Sequence, residues 1–264
     1  MHEIADIACN FTSDRFDNDL DEVIDRAIAN HITKFGLICS RLRDVDKLLE
    51  IYNRYSKNMF FTIGVHPHHA NEINAEYLEK LKEVINKNNP HAIGETGLDF
   101  FRNLSTYEEQ MYAFEEQIKI AIDTNKPLFL HQRDSHEDFI KILRKYSSDI
   151  SKAVVHCFTG TQSQLDDYLE LDCYIGVTGW ICDEKRNVEL RKTIKNIPLS
   201  KLMIETDCPY LIPKNLLDKP KNNRNEPSYL NHIVTEISMI LGVDEEDIRK
   251  ESFKNTLSFF QSVN

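Results

Sequence analysis

Leu128-Phe129-Leu130-His131 and Ala153-Val154-Val155-His156 are two short apolar runs, each ending on a histidine. Runs this short, with β-branched or aromatic members, predict buried strands of a parallel sheet. Two further runs obey the same rule with an acid at the end: Ala92-Ile93-Gly94 reaches Glu95, and Leu202-Met203-Ile204-Glu205-Thr206 reaches Asp207. Polar groups at the carboxyl ends of parallel strands point into the mouth of an α/β barrel, where that fold keeps its active sites. Two imidazoles and two carboxylates meeting there make a divalent-metal site of nitrogen and oxygen donors.

Working outward, apolar runs alternate with stretches of helical period along the whole chain. The strands expected are Ile4–Cys9, Lys34–Ile38, Phe60–Val65, Ala92–Gly94, Pro127–Leu130, Ala153–His156, Cys173–Gly176 and Lys201–Ile204. Between them the periodicity predicts helices over Leu20–Ala29, Val45–Tyr55, Tyr77–Asn86, Tyr107–Thr124, His136–Tyr146 and Ser163–Leu169, with two more over Tyr229–Leu241 and Glu245–Phe260. Repeated β-then-α over eight strands predicts a (β/α)8 TIM barrel, one domain spanning residues 1–264. No G-x-G-x-x-G follows the first strand, which speaks against dinucleotide binding. Pro209 to Asn225, with three prolines, reads as a long loop over the barrel mouth.

Composition narrows the function. The net charge of −11 opposes a protein that grips long duplex DNA through a basic face, so any nucleic-acid chemistry must be local, with metal ions as the main positive charge. The six cysteines are scattered without a C-x-x-C pair, which fits reduced thiols in the cytoplasm. No apolar run reaches about 18 residues, so no membrane span is expected, and the start at Met1-His2-Glu3 lacks signal-peptide character.

His131, His156 and Glu95 are the expected metal ligands, and Glu95 has two oxygens with which to bridge two ions. Asp207 is the expected catalytic base, taking a proton from water, or a further ligand. Glu205 shares its strand face with Asp207 and stays unassigned. His66, in Gly64-Val65-His66-Pro67-His68-His69, holds the equivalent strand-end place and is expected to contact a phosphate or a second metal; His68 and His69 read as loop residues. Arg133 and Arg224 are the expected contacts to an anionic substrate, ahead of Arg102, Lys185 and Arg186. Trp180 is a candidate base-stacking platform or a core residue. On the first strand Ala8 and Asn10 stand where barrel metallohydrolases often carry H-x-H, leaving a second metal position poorly furnished.

Six segments together resemble the TatD family of metal-dependent deoxyribonucleases: Gly64–His68, Ala92–Asp99, Leu130–Asp134, Val155–Gly160, Ile204–Leu211 and Arg224–Pro227. The resemblance covers essentially the whole chain and matches the branch that lacks H-x-H. It implies a TIM barrel with a divalent metal held by Glu95, His131 and His156, with Asp207 in the same cluster. It implies hydrolysis of phosphodiester bonds as a 3′-to-5′ exonuclease on single-stranded DNA, with RNA as a second substrate. Magnesium is the metal expected, with manganese or zinc as alternatives, and the enzyme is expected to act as a monomer. The residues alone leave two other readings open: an amide or lactone hydrolase, and a barrel that serves as an interaction module without catalysis.

Overall fold

The computed structural model of the chain describes residues 2–185 and 187–261. Eight strands pair in chain order, all parallel: β1 (Ile4–Cys9), β2 (Ile32–Leu37), β3 (Met59–Ile63), β4 (Ala92–Asp99), β5 (Leu128–Arg133), β6 (Ala153–Val155), β7 (Tyr174–Val177) and β8 (Leu202–Ile204). The ring closes between β1 and the end of β8 through a single Cys9–Cys208 bridge, where the Asn10 amide donates to the Cys208 carbonyl at 2.9 Å. Side chains reinforce this seam, since buried Asp6 accepts from both the backbone amide and the hydroxyl of Thr206. The fold is the (β/α)8 barrel that the alternation of runs predicts.

The outer layer comprises α1 (Leu20–Ala29), α2 (Val45–Tyr55), α3 (Ala75–Asn88), α4 (Tyr107–Asp123), α5 (His136–Tyr146), α6 (Gln162–Glu170), α7 (Val188–Thr193), α8 (Leu230–Leu241) and α9 (Glu245–Phe260). Local chemistry fixes their starts. Thr106 with Glu109 and Thr161 with Gln164 form capping boxes that satisfy the free amides of α4 and α6. Asn74 accepts from Tyr77 N and starts α3 two residues before the apolar period does. The sequence reading has no counterpart of α7, whose six residues are too few to show a period.

One strand departs informatively from expectation. β4 does not stop at Gly94 but runs to Asp99, all eight residues buried. Gly94 and Gly97 break the apolar run yet carry the strand on with φ near +145°, a region that side chains rarely adopt. A Cβ on Gly97 would sit 1.9 Å from the His131 carbonyl, so β4 and β5 can pair only with hydrogen in its place. The pairing shifts register between Ile93 and Thr96, as at a bulge. Glu95 is therefore set in the barrel wall, not at its lip.

Inside the barrel, side chains alternate by strand geometry. Phe129, Val154 and Met203 belong to an interior cluster with Ile7, Phe60, Phe259 and Phe260. Two residues further along the same faces stand His131, His156 and Glu205. No helix among the described residues is long and apolar enough to cross a membrane.

Candidate metal centre at the barrel mouth

The mouth opens into a cavity of about 1140 Å³, lined by Asn10, His66, His68, Glu95, Asp99, Phe101, His131, Arg133, His156, Trp180, Asp207 and Tyr210, among others. At its centre one carboxylate oxygen, Glu95 Oε1, meets three imidazoles: His156 Nε2 at 2.8 Å, His131 Nδ1 at 3.0 Å and His66 Nε2 at 3.3 Å. The ligand atoms of His66, Glu95 and His131 all lie within 4.8 Å of one another. Asp99 flanks the cluster, accepting from His68 Nε2 at 2.7 Å and lying 3.4 Å from His131 Nε2. On the other side Glu205 accepts from the Cys157 amide, and its second oxygen is 3.4 Å from His156 Nδ1.

Local backbone features aim these groups. His66, three residues past β3, caps a short 3-10 turn over Pro67–Glu72, which brings the His66 and His68 rings to 4.2 Å. Asp134, Cys157 and Asp207, just past the ends of β5, β6 and β8, have φ near +50°. Such left-handed conformations in residues other than glycine cost about 1–3 kcal/mol each and concentrate at functional sites. Asp207 is held by Asn10, whose Nδ2 donates to Asp207 Oδ1 at 2.9 Å and to the Cys208 carbonyl at 3.1 Å.

Electrostatics separate the acids. Burial pushes the Glu95 carboxyl up, but the charges of His66 and His156 and hydrogen bonds from His131 and His156 outweigh it and hold it well below the usual range. Burial works against a charged His156, and Glu95 and Glu205 overcome it, raising its pKa well above the ordinary value. His131 is likewise disfavoured by burial and raised on balance by Asp99 and Glu95. Burial takes His66 down to about 4 despite the pull of Glu95. Asp207 is pushed up to about 7 by burial, opposed by His156 and reinforced by the negative charge of Glu95 and Glu205.

These residues fit a divalent cation. His66, His131 and His156 each turn one nitrogen to Glu95 Oε1, and the other nitrogens of His131 and His156 face Asp99 and Glu205, the inner and outer arrangement of ligating histidines. The ring nitrogens that donate to Glu95 become ligands once deprotonated, and mixed imidazole and carboxylate donors suit zinc, manganese or iron.

The cavity thus gathers Glu95, His131, His156, Asp207, His66 and Arg133. It does not gather Arg224, which lies near the end of the loop after β8, pairs with Asp19 through both terminal nitrogens at 2.6 Å and stacks over Phe16. That loop, irregular from Pro209 onward, closes where Asn225 N donates to the Pro209 carbonyl at 3.1 Å. Arg102 lines the cavity, Lys185 is not among its lining residues, and Arg186 lies outside the described residues. Sequence reasoning does not single out Asp99, and it reads His68 as a loop residue. Asp99 had a readable signal, since it stands four residues beyond Glu95 on one strand and so shares its face.

A family model of TatD-related DNases matches residues 5–261. The chain belongs to the TatD family. It is 40% identical over 255 residues to the 3'-5' ssDNA/RNA exonuclease TatD of Escherichia fergusonii, covering 97% of this chain and 98% of that one. The protein of the same name from Salmonella typhimurium is 39% identical over 258 residues, 98% of this chain and 99% of the relative. Among solved structures, a TatD family hydrolase from Entamoeba histolytica superposes with a TM-score of 0.88 at 30% identity, covering 98% of each chain. The TatD homolog YjjV of Escherichia coli superposes with a TM-score of 0.90 at 24% identity over 97% of each chain, a likeness of fold.

Proposed function

We propose that this TatD family member is a metal-dependent nuclease that removes nucleotides from the 3′ end of single-stranded DNA and RNA. The observation that carries the reading is the convergence of three imidazoles on one oxygen of Glu95 inside a cavity larger than the roughly 300–1,000 Å³ of small-molecule pockets. The names of the relatives supply the substrate class and polarity.

In this reading Glu95, His131, His156 and His66 hold the first cation. A second position would be left mainly to the oxygens of Glu95 and Asp207, because Ala8 and Asn10 on β1 supply no imidazole there. An oxygen-rich, water-rich position of that kind suits magnesium or manganese. The metal supplies Lewis-acid polarisation of the phosphate and a more acidic water. The chain's own groups do the rest. Asp207, steadied by Asn10, takes the proton of the attacking water. Asp99 and Glu205 fix the ring orientations of His131 and His156 from outside, as outer carboxylates do for ligating histidines. Arg133, at the end of β5, binds a phosphate of the substrate. Six free thiols fit a reducing compartment, and we place the enzyme in the cytoplasm as a monomer.

Exhaustive chelation tests the reading. Hydrolysis of a labelled single strand is expected to stop and to return with magnesium or manganese; full activity in the chelated protein would refute it.

A further inference from the structure

The cavity floor is polar, but its rim on the β4 side is not. Phe101, in the loop between β4 and α4, is 57% exposed at the edge of the cavity. The Arg133 guanidinium lies over its ring, 3.8 Å from the centroid. Single exposed apolar residues are common and mean little alone. This one is paired with a cation two residues past His131, beside the metal centre of a chain whose net charge is −11. The guanidinium covers one face of a ring that lines the cavity and is still more than half exposed. A flat apolar face next to a phosphate-seeking cation matches the repeating chemistry of a single strand, a base and then a phosphate. The ring holds the guanidinium at the mouth, where an unpaired arginine would otherwise sample many rotamers.

We infer that Phe101 is a base-stacking residue, which, with Arg133 on the adjacent phosphate, positions one nucleotide of the strand relative to the metal centre. The inference rests on the nuclease reading and names a determinant of its specificity. A base engaged on Phe101 is unstacked from its neighbours and unpaired, so the platform selects single strands over duplex. Phe101 touches substrate without touching the reacting atoms, so its loss weakens binding and leaves the chemical step alone. Across the ring of strands, four positions away, the segment after β8 presents Tyr210, 54% exposed, and a strand spanning the mouth runs between the two.

The test uses short oligothymidylates, each lacking the base at one position. Phosphorothioate versions report binding by fluorescence anisotropy with magnesium present, and natural versions report hydrolysis. In the unmodified enzyme, removing the base at one position is expected to weaken binding about 10-fold or more, the range of one base–aromatic stack. Phe101→Ala should weaken the intact strand by the same factor, raise KM, leave kcat within about two-fold, and make the missing base at that position inconsequential. Phe101→Tyr should behave as the unmodified enzyme does. Unchanged binding by Phe101→Ala, an abasic penalty of the same size with and without the ring, or no binding of any strand would each overturn the inference. Binding with this pattern but no cleavage of natural strands would instead sink the nuclease reading and leave the stacking site standing.

Discussion

At the amino end of the barrel strands, Phe60 and Phe260 lie stacked with centroids 4.9 Å apart, and Phe259 meets Phe260 edge-on at 4.8 Å. At the carboxyl end of the same strands, three imidazoles crowd one carboxylate oxygen, with buried Asp99 and Glu205 behind them. Phe129 marks the border, with its ring 5.0 Å from that of His156. Two residues of strand thus separate a floor made for cohesion from a mouth made for a cation. Stability and chemistry are expected to separate at the same border, and substitutions on either side should read out differently.

The largest expected effect lies at the mouth. His156→Ala should lower hydrolysis by more than about 100-fold, since even partners outside the ligand shell are worth 10–100-fold. The barrel should still form, read as an unchanged far-UV spectrum, although the urea midpoint falls because buried Glu95 and Glu205 lose the imidazole that faces both. Retained activity, or collapse of the fold, would break the comparison. At the floor the sign reverses. Phe260→Ala should cost about 3–5 kcal/mol in urea unfolding, as large aromatic truncations do, with kcat per folded molecule unchanged.

A pH experiment sharpens the contrast. His91, just before β4, packs against Phe60, Phe61 and Tyr52, and its Nδ1 accepts from the Phe61 amide at 3.2 Å. Burial, with help from Lys126, takes it down to about 4 from the ordinary 6.5. As pH falls through 6.5 the unfolded chain binds the proton first, so stability is full above 6.5, declines below it and stops declining near 4. The window is worth up to about 2–3 kcal/mol. His91→Gln should flatten that slope measurably in unfolding at stepped pH; an unchanged slope would remove His91 from the floor's account.

The smallest effect concerns two arginines with similar sequence credentials. Arg224→Ala should destabilise by about 1–2 kcal/mol through loss of the Asp19 pair, with KM unmoved. Arg133→Ala should raise KM with little change in stability. The reverse pattern in steady-state kinetics would place Arg224 on the substrate.

How far the sequence could be read follows from what each residue's neighbours are. His131 and His156 end uninterrupted apolar runs, so strand, direction and face were all visible. The apolar pattern ends β4 too early because Gly94 and Gly97 look like punctuation, when their backbone freedom is what carries the strand onward to Asp99. His68 lies past a proline, and only the tight turn at Pro67 brings it back to Asp99. Arg224 looked like a substrate contact because nothing in its neighbourhood of the chain announces a partner some two hundred residues away, at Asp19. Local pattern reveals strands and their ends; pairing across the ring is a property of closure.

That closure has a mechanical consequence. The joint between β1 and β8 rests on one backbone bridge, the Asp6–Thr206 contacts and the amide of Asn10, and the same Asn10 side chain steadies Asp207. Fastening the cylinder and aiming its proton acceptor are a single event. Any breathing of the wall at this joint releases Asp207 from its hold, so amide exchange at Asn10 doubles as a gauge of how often the enzyme is ready to react.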